Sequence, residues 1–173
     1  ANLKDEYAVI LDTTFSSNSA IKDVQKALDS GYDVAITFTF RDPFEAWIDG
    51  ALKRIGEEGR VVPEAYFLQS HIDAQKNIIK AYKKYKDNEK VDFHFIHNKN
   101  DRSFPDTTID KISEHLYDRQ TLAKQISKAT DKAYEEKRIT KKQYETAISD
   151  RAKVEGSGKG KPEVKLEREV SGS

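Results

Sequence analysis

Two short stretches rich in β-branched and aromatic residues, Asp33–Phe40 (DVAITFTF) and Val91–His97 (VDFHFIH), constrain the fold of this chain more than any other feature. Both have the length and composition of strands. The residues between them carry helical periodicity, so the connection suits a parallel crossover and is far too long for a hairpin. Pro43 opens the first helix of that connection, with Phe44, Trp47, Ile48, Leu52 and Ile55 toward one side, and Trp47 with Phe44 reads as core. Gly56-Glu57-Glu58-Gly59-Arg60 interrupts the pattern as a loop. A second helix restarts near Pro63 and carries Phe67, Ile72, Ile78, Ile79 and Tyr82, and Asp87-Asn88 signals a turn. Upstream, Tyr7-Ala8-Val9-Ile10-Leu11 is an apolar run ending at Asp12-Thr13-Thr14, which predicts a buried strand with a polar tip. Ala20, Ile21, Val24, Ala27 and Leu28 then follow at helical spacing up to Gly31, a C-terminal stop. The predicted order over residues 1–106 is β-α-β-α-α-β, a layered α/β domain.

From Thr107 the pattern changes. Ile109, Ile112, Leu116, Leu122, Ile126 and Ala129 mark helices with charged outer faces. Lys137-Arg138-Ile139 reads as a break, with Thr140 capping a last helix through Tyr144, Ala147 and Ile148. Residues 107–150 are therefore expected to form a helical extension. Residues 151–173 hold four of the eight glycines and almost no core-forming side chains, which predicts a disordered tail or linker.

Lys plus Arg and Asp plus Glu each number 30, a formal net charge of zero. That balance excludes a protein whose whole surface grips nucleic acid or an anionic membrane. The absence of cysteine excludes disulfides, thiolate metal sites and a cysteine nucleophile. No apolar run approaches the roughly 18 residues that span a bilayer, and no signal-peptide pattern opens the chain, so a cytoplasmic location is expected. Methionine is also absent and the first residue is Ala1, which suggests a piece of a longer protein.

Two constellations carry chemistry. Asp12-Thr13-Thr14 falls at the C-terminal end of a predicted strand, where open α/β sheets bind ligands. A carboxylate and hydroxyls there either meet a substrate or only shape the turn and cap the next helix. Arg54 and Arg60, within LKRIGEEGRVVP, flank the glycine-containing loop. Guanidinium groups meet phosphate oxygens with paired hydrogen bonds, so two arginines on such a loop can close over a triphosphate. The alternative is a solvated helix end that Glu57 and Glu58 partly neutralise. His94 and His97 point to opposite faces of a strand, and His71 and His115 have no visible partner, so no metal site is expected. Lys80, Lys83, Lys84 and Lys86 read as a solvated helix face, and nucleic-acid binding is not expected. Nowhere does G-x-x-x-x-G-K-[ST] occur. Gly156-Ser157-Gly158-Lys159-Gly160-Lys161-Pro162 follows a charged helix and lacks the required spacing and hydroxyl.

The order of these pieces from Val9 to Asp101 resembles the second half of zeta-toxin-like P-loop kinases. The matching elements are ILDTT, Gly31-Tyr32-Asp33-Val34 before a strand, the helix with Arg54, Gly59-Arg60-Val61-Val62-Pro63 with Phe67, and a strand ending in Asn98. The resemblance implies part of a three-layer parallel sheet of the P-loop kinase type. It implies ATP and Mg²⁺ as cofactors, a sugar nucleotide such as UDP-N-acetylglucosamine as substrate, and an antitoxin as partner. By matching position, Arg54 and Arg60 would clamp the ATP phosphates, Asp12 with Thr13 would stand beside the substrate, and Asn98 would lie near the adenine. The family's P-loop strand, lysine and catalytic aspartate would precede Ala1, so this chain alone is expected to be inactive. That missing strand would sit between the first two strands of the present sheet and leave a gap for another chain to fill. The other reading is a non-catalytic α/β interaction module, a degenerate kinase remnant in a conjugation, secretion or phage assembly. It would present Tyr134, Ile139 and Tyr144 to its partner.

Overall fold

A computed structural model describes residues 8–116 and 118–151. Strand β1 (Val34–Phe40) pairs in parallel with β2 (Val91–His97), in register from Val34 opposite Val91 to Phe40 opposite His97. The alternation of a half-buried strand follows. Ile36 and Phe40 of β1 and Val91 and Phe95 of β2 point into the core, while Ala35, Thr37 and Thr39 are exposed on the opposite face.

Helix α1 (Ala20–Asp29) buries Ala20 and Val24 and stops where the sequence predicts. Gly31 takes φ +89°, its N–H donates to the Leu28 carbonyl, and the Tyr32 N–H donates to that of Ala27. This paired closure satisfies two carbonyls of the last turn, and the left-handed residue within it favours glycine. After β1, Asp42 accepts a hydrogen bond from the Glu45 N–H at 2.9 Å and starts α2 (Pro43–Glu45). The helix continues into a π-helical stretch, Ala46–Leu52, and then α3 (Lys53–Glu58). Helix α4 (Glu64–Tyr85) runs back toward β2, and α5 (Ile109–Glu114), α6 (Arg119–Glu135) and α7 (Lys141–Ala147) complete the chain.

Two apolar clusters form the interior, and α4 belongs to both. Its C-terminal half (Ile78, Ala81, Tyr85) packs with Ile36, Phe40, Val91, Phe95, Val24 of α1 and Ile112 of α5. Its N-terminal half (Phe67, Leu68, Ile72) packs with Trp47, Leu52 and Ile55, and with Leu122, Ile126, Ala133, Ile139 and Ala147. Trp47 is core, as its sequence setting predicts.

The α/β class holds, with corrections. Of the strand expected over Tyr7–Leu11, Tyr7 lies outside the described residues and no strand is formed over the rest: residues 8–14 are irregular, with Ile10 93% and Leu11 67% exposed. A strand needs a hydrogen-bonding neighbour, and the described sheet consists of β1 and β2 alone. Helices α6 and α7 supply side chains to the same core as Trp47. Ile139, expected to face a partner, is 4% exposed within that core, while Tyr134 stacks on Tyr144 with ring centres 4.5 Å apart. Thr140 does cap α7, in a reciprocal pair with Gln143. The first residue of the expected tail, Arg151, is docked against Glu64 and Asp131, and residues 152–173 lie outside the described residues.

Candidate functional site

The C-terminal ends of the two strands are latched together. The Asn98 N–H donates to the Phe40 carbonyl at 2.8 Å, and Arg41 Nη2 donates to Asn100 Oδ1 at 2.8 Å. Arg41 therefore stands at the strand end itself, the position where parallel sheets receive ligands. Its Nε is buried and finds no hydrogen-bond partner among the described residues.

The helix that follows turns back over this end and brings Arg54 to Arg41. Arg54 Nε donates to the Gly50 carbonyl at 3.2 Å. A methyl group built on Gly50 would lie 3.7 Å from Arg41 Nη1 and 4.0 Å from Arg54 Nη2, so both guanidinium groups stand beside Gly50. Neither arginine is ion-paired with a carboxylate among the described residues. Nearby, His71 lies against the Phe67 ring at 4.3 Å. Burial pushes its imidazole down to about 4, Asp42 opposes that shift and Arg41 adds to it, so the ring is neutral at pH 7.

Arg60 is exposed beyond Gly59, whose φ of +70° ends α3, and it makes no hydrogen bond or ion pair among the described residues. The chain on both sides of it is braced from α6, α7 and the turn between them. Gln143 Nε2 donates to the Ile55 carbonyl at 2.6 Å, and a side chain on Gly56 would meet the Arg138 carbonyl at 2.8 Å, a contact only glycine permits. Past the loop, α4 begins at Pro63 without a side-chain cap of its own. Asp150 supplies it from the far end of the chain, accepting from the Ala65 and Tyr66 N–H groups at 3.0 Å each. Arg151 grips the nearly buried Glu64 through two nitrogens at 2.8 and 2.9 Å and also reaches Asp131 at 2.9 Å. That geometry raises the Arg151 pKa, first through the hydrogen bonds it donates to Glu64.

Asp12 and Thr13 lie on the exposed segment before α1. Thr13 Oγ1 accepts from the Phe15 N–H at 3.3 Å, a local turn contact, and Asn77 of α4 donates to the Phe15 and Ser17 carbonyls at 3.0 and 3.1 Å. The described contacts thus unite Arg41, Gly50, Arg54 and Asn100, with Asn98 bonded to the adjacent Phe40, and none joins Asp12, Thr13 or Arg60 to that group. Sequence reasoning missed Arg41, although the strand-end rule that selected Asp12 applies equally to the residue after Phe40. It missed Asp150 and Arg151 because the α4 residues they hold are more than 80 residues away along the chain. His115, without a visible partner in the sequence, lies beside Phe40 and His97.

Residues 2–121 match the family model of the zeta toxin. The chain belongs to the zeta toxin family. No curated protein matches it, and neither does any solved structure. The matched span takes in both strands, the Arg54–Arg60 loop and the beginning of α6. Zeta toxins are kinase-like toxins, and as a family they generally use ATP with Mg²⁺, act on a nucleotide or sugar-nucleotide substrate and are held by an antitoxin. Among the described residues, no three His, Asp or Glu side chains converge as a metal cage. No helix among them is long and apolar enough to cross a membrane.

Proposed function

We propose that this chain is the C-terminal portion of a zeta-toxin-like kinase that transfers the γ-phosphoryl group of ATP to a hydroxyl of a sugar nucleotide such as UDP-N-acetylglucosamine. The observation that carries this reading is the pair of guanidinium groups, Arg41 and Arg54, that stand beside Gly50 at the sheet's C-terminal end without a carboxylate partner among the described residues, within a span that matches a kinase-like family. Bound Mg-ATP supplies the phosphoryl group. Arg54 and Arg60 hold its phosphates and neutralise charge as the group moves, because preorganised donors stabilise developing charge without reorganisation. Asp12 and Thr13 face the acceptor hydroxyl, and Asn98 borders the adenine. In this reading residues 1–106 are the partial kinase domain, 107–150 brace its arginine loop, and the P-loop comes from polypeptide upstream of Ala1, so the chain alone turns nothing over. The reaction is cytoplasmic and involves neither membrane nor nucleic acid.

The test is kinetic, on the longest natural chain containing a P-loop. Arg60→Ala is expected to lower turnover by roughly 10²–10³-fold, the usual cost of one transition-state donor. Near-unchanged turnover would remove Arg60 from the chemistry.

One observation favours a second reading, a non-catalytic α/β interaction module. Ile10 and Leu11 are large, adjacent and in water, which suits a surface that an antitoxin or another chain covers while completing the sheet. A stoichiometric complex in a chain with no saturable Mg-ATP binding would select this second reading.

A further inference from the structure

We infer that Asn77 of α4 is a positioning residue: with a left-handed Phe15 it anchors the segment that carries Asp12 and Thr13, and so fixes where their carboxylate and hydroxyl stand. The inference deepens the kinase reading and rests on it for the acceptor that those groups would face, not for the anchor itself.

Four observations converge. Phe15 takes φ +57°, a region that residues with a Cβ enter at a cost and that is foreign to a side chain as bulky as phenylalanine. Such a conformation persists only where the surroundings over-determine it. The ring supplies the second observation, since it is buried in the cluster that holds Val24, Ile36 and Ile78. The third is the carbonyl of Phe15, which accepts from Asn77 Nδ2 at 3.0 Å, while the same nitrogen donates to the Ser17 carbonyl at 3.1 Å. One amide group thus ties two carbonyls to a fixed point within a 22-residue helix. The Ser17 carbonyl also accepts from the Ala20 N–H at 3.1 Å, so the anchor continues into the first turn of α1. Finally, the Phe15 N–H donates to Thr13 Oγ1 at 3.3 Å, and the Thr14 and Ser16 hydroxyls lie 2.7 Å apart across Phe15. Thr13 is therefore bonded directly to the anchored residue, and Asp12 precedes it. Both stay exposed, so the anchor orders them without burying them. Groups ordered before a substrate arrives need not be ordered when it binds.

Limited proteolysis of the whole chain with chymotrypsin reads the anchor, because the bond after Phe15 is cut only when that segment opens. Asn77→Leu keeps the volume and removes both donors, so cleavage after Phe15 should accelerate about tenfold, as the loss of two ordinary hydrogen bonds requires. Lys76→Leu changes the exposed neighbour on the same helix and should stay within about twofold of wild type. Equal rates in the two variants overturn the anchor. Should Asn77→Leu fail to fold, Asn77→Ala takes its place under the same criterion. The kinetic arm uses the longest natural chain containing a P-loop. There Asn77→Leu should lower kcat/KM for the sugar-nucleotide acceptor about tenfold and leave KM for ATP within about twofold. Added to Asp12→Asn it should cost less than about twofold more, because the two changes act through one group. Equal losses toward ATP and acceptor, or full additivity with Asp12→Asn, overturn the positioning role. Faster cleavage with unchanged acceptor kinetics does the same and leaves the kinase reading standing. A parent chain that transfers no phosphoryl group sinks the kinase reading and the acceptor with it, while the cleavage rates still decide the anchor.

Discussion

Residues 8–14 carry Val9, Ile10 and Leu11 in a row and keep them largely in water, whereas α6, α7 and the turn between them, dense in Lys, Glu and Asp, bury Leu122, Ile126, Ala133, Ile139 and Ala147. The difference teaches that apolar content qualifies a segment for burial and a complementary surface decides it. The helical pair finds such a surface in Trp47, Leu52, Ile55 and the first half of α4, then fastens itself there with Asp150, Arg151 and Gln143. Among the described residues, 8–14 meet no strand whose backbone groups await theirs.

The sharpest way to break this comparison is a matched pair of truncations. Leu122→Ala should cost about 2–5 kcal/mol in urea unfolding, the range for a fully buried leucine, whereas Ile10→Ala should stay within about 0.5 kcal/mol of wild type. Equal losses would mean that residues 8–14 are packed after all. Next in size is Arg151→Ala, which strands the Glu64 carboxylate, 4% exposed, without its cation. Leaving a buried charge unpaired costs about 3 kcal/mol, so a loss below 1 kcal/mol would show that the end of the helical unit is not fastened as described.

A pH series examines the surface on which that unit rests. His71 is held neutral, with its folded pKa lowered to about 4 from 6.5, mainly by burial. The unfolded chain takes up the proton first, so this contribution is complete above 6.5, is lost as pH falls toward 4 and levels off below that. Between pH 7 and pH 5 the site should lose about 2 kcal/mol of stability. His71→Gln should flatten that part of the profile, and an unchanged slope would place the acid sensitivity elsewhere. The smallest expected effect belongs to Asp150→Asn, which weakens the remote cap of α4 and should cost about 1 kcal/mol. A null result there would leave Arg151 as the tether.

Much of the fold was legible before any coordinates. DVAITFTF and VDFHFIH are strands within a residue of the expected limits, Pro43 and Gly31 start and stop helices, and Thr140 caps α7. These features are local, set by the allowed dihedrals and hydrogen-bonding needs of a few consecutive residues. The candidate site was legible only in part. Arg54 announces itself by its place beside a glycine loop, but that Arg41 and Arg54 both stand beside Gly50 follows from a helix folding back across the strand end, and no spacing in the chain encodes that distance.

The sequence by itself determined strands β1 and β2, the helical segments around them and the exclusion of thiol chemistry, because backbone preference and side-chain type act over a turn or a strand. Tertiary structure alone decided which apolar segment is covered, which arginines meet and which distant acid caps α4. Burial, charge convergence and remote capping are properties of pairs of surfaces, and the partner of each pair lies tens of residues away along the chain.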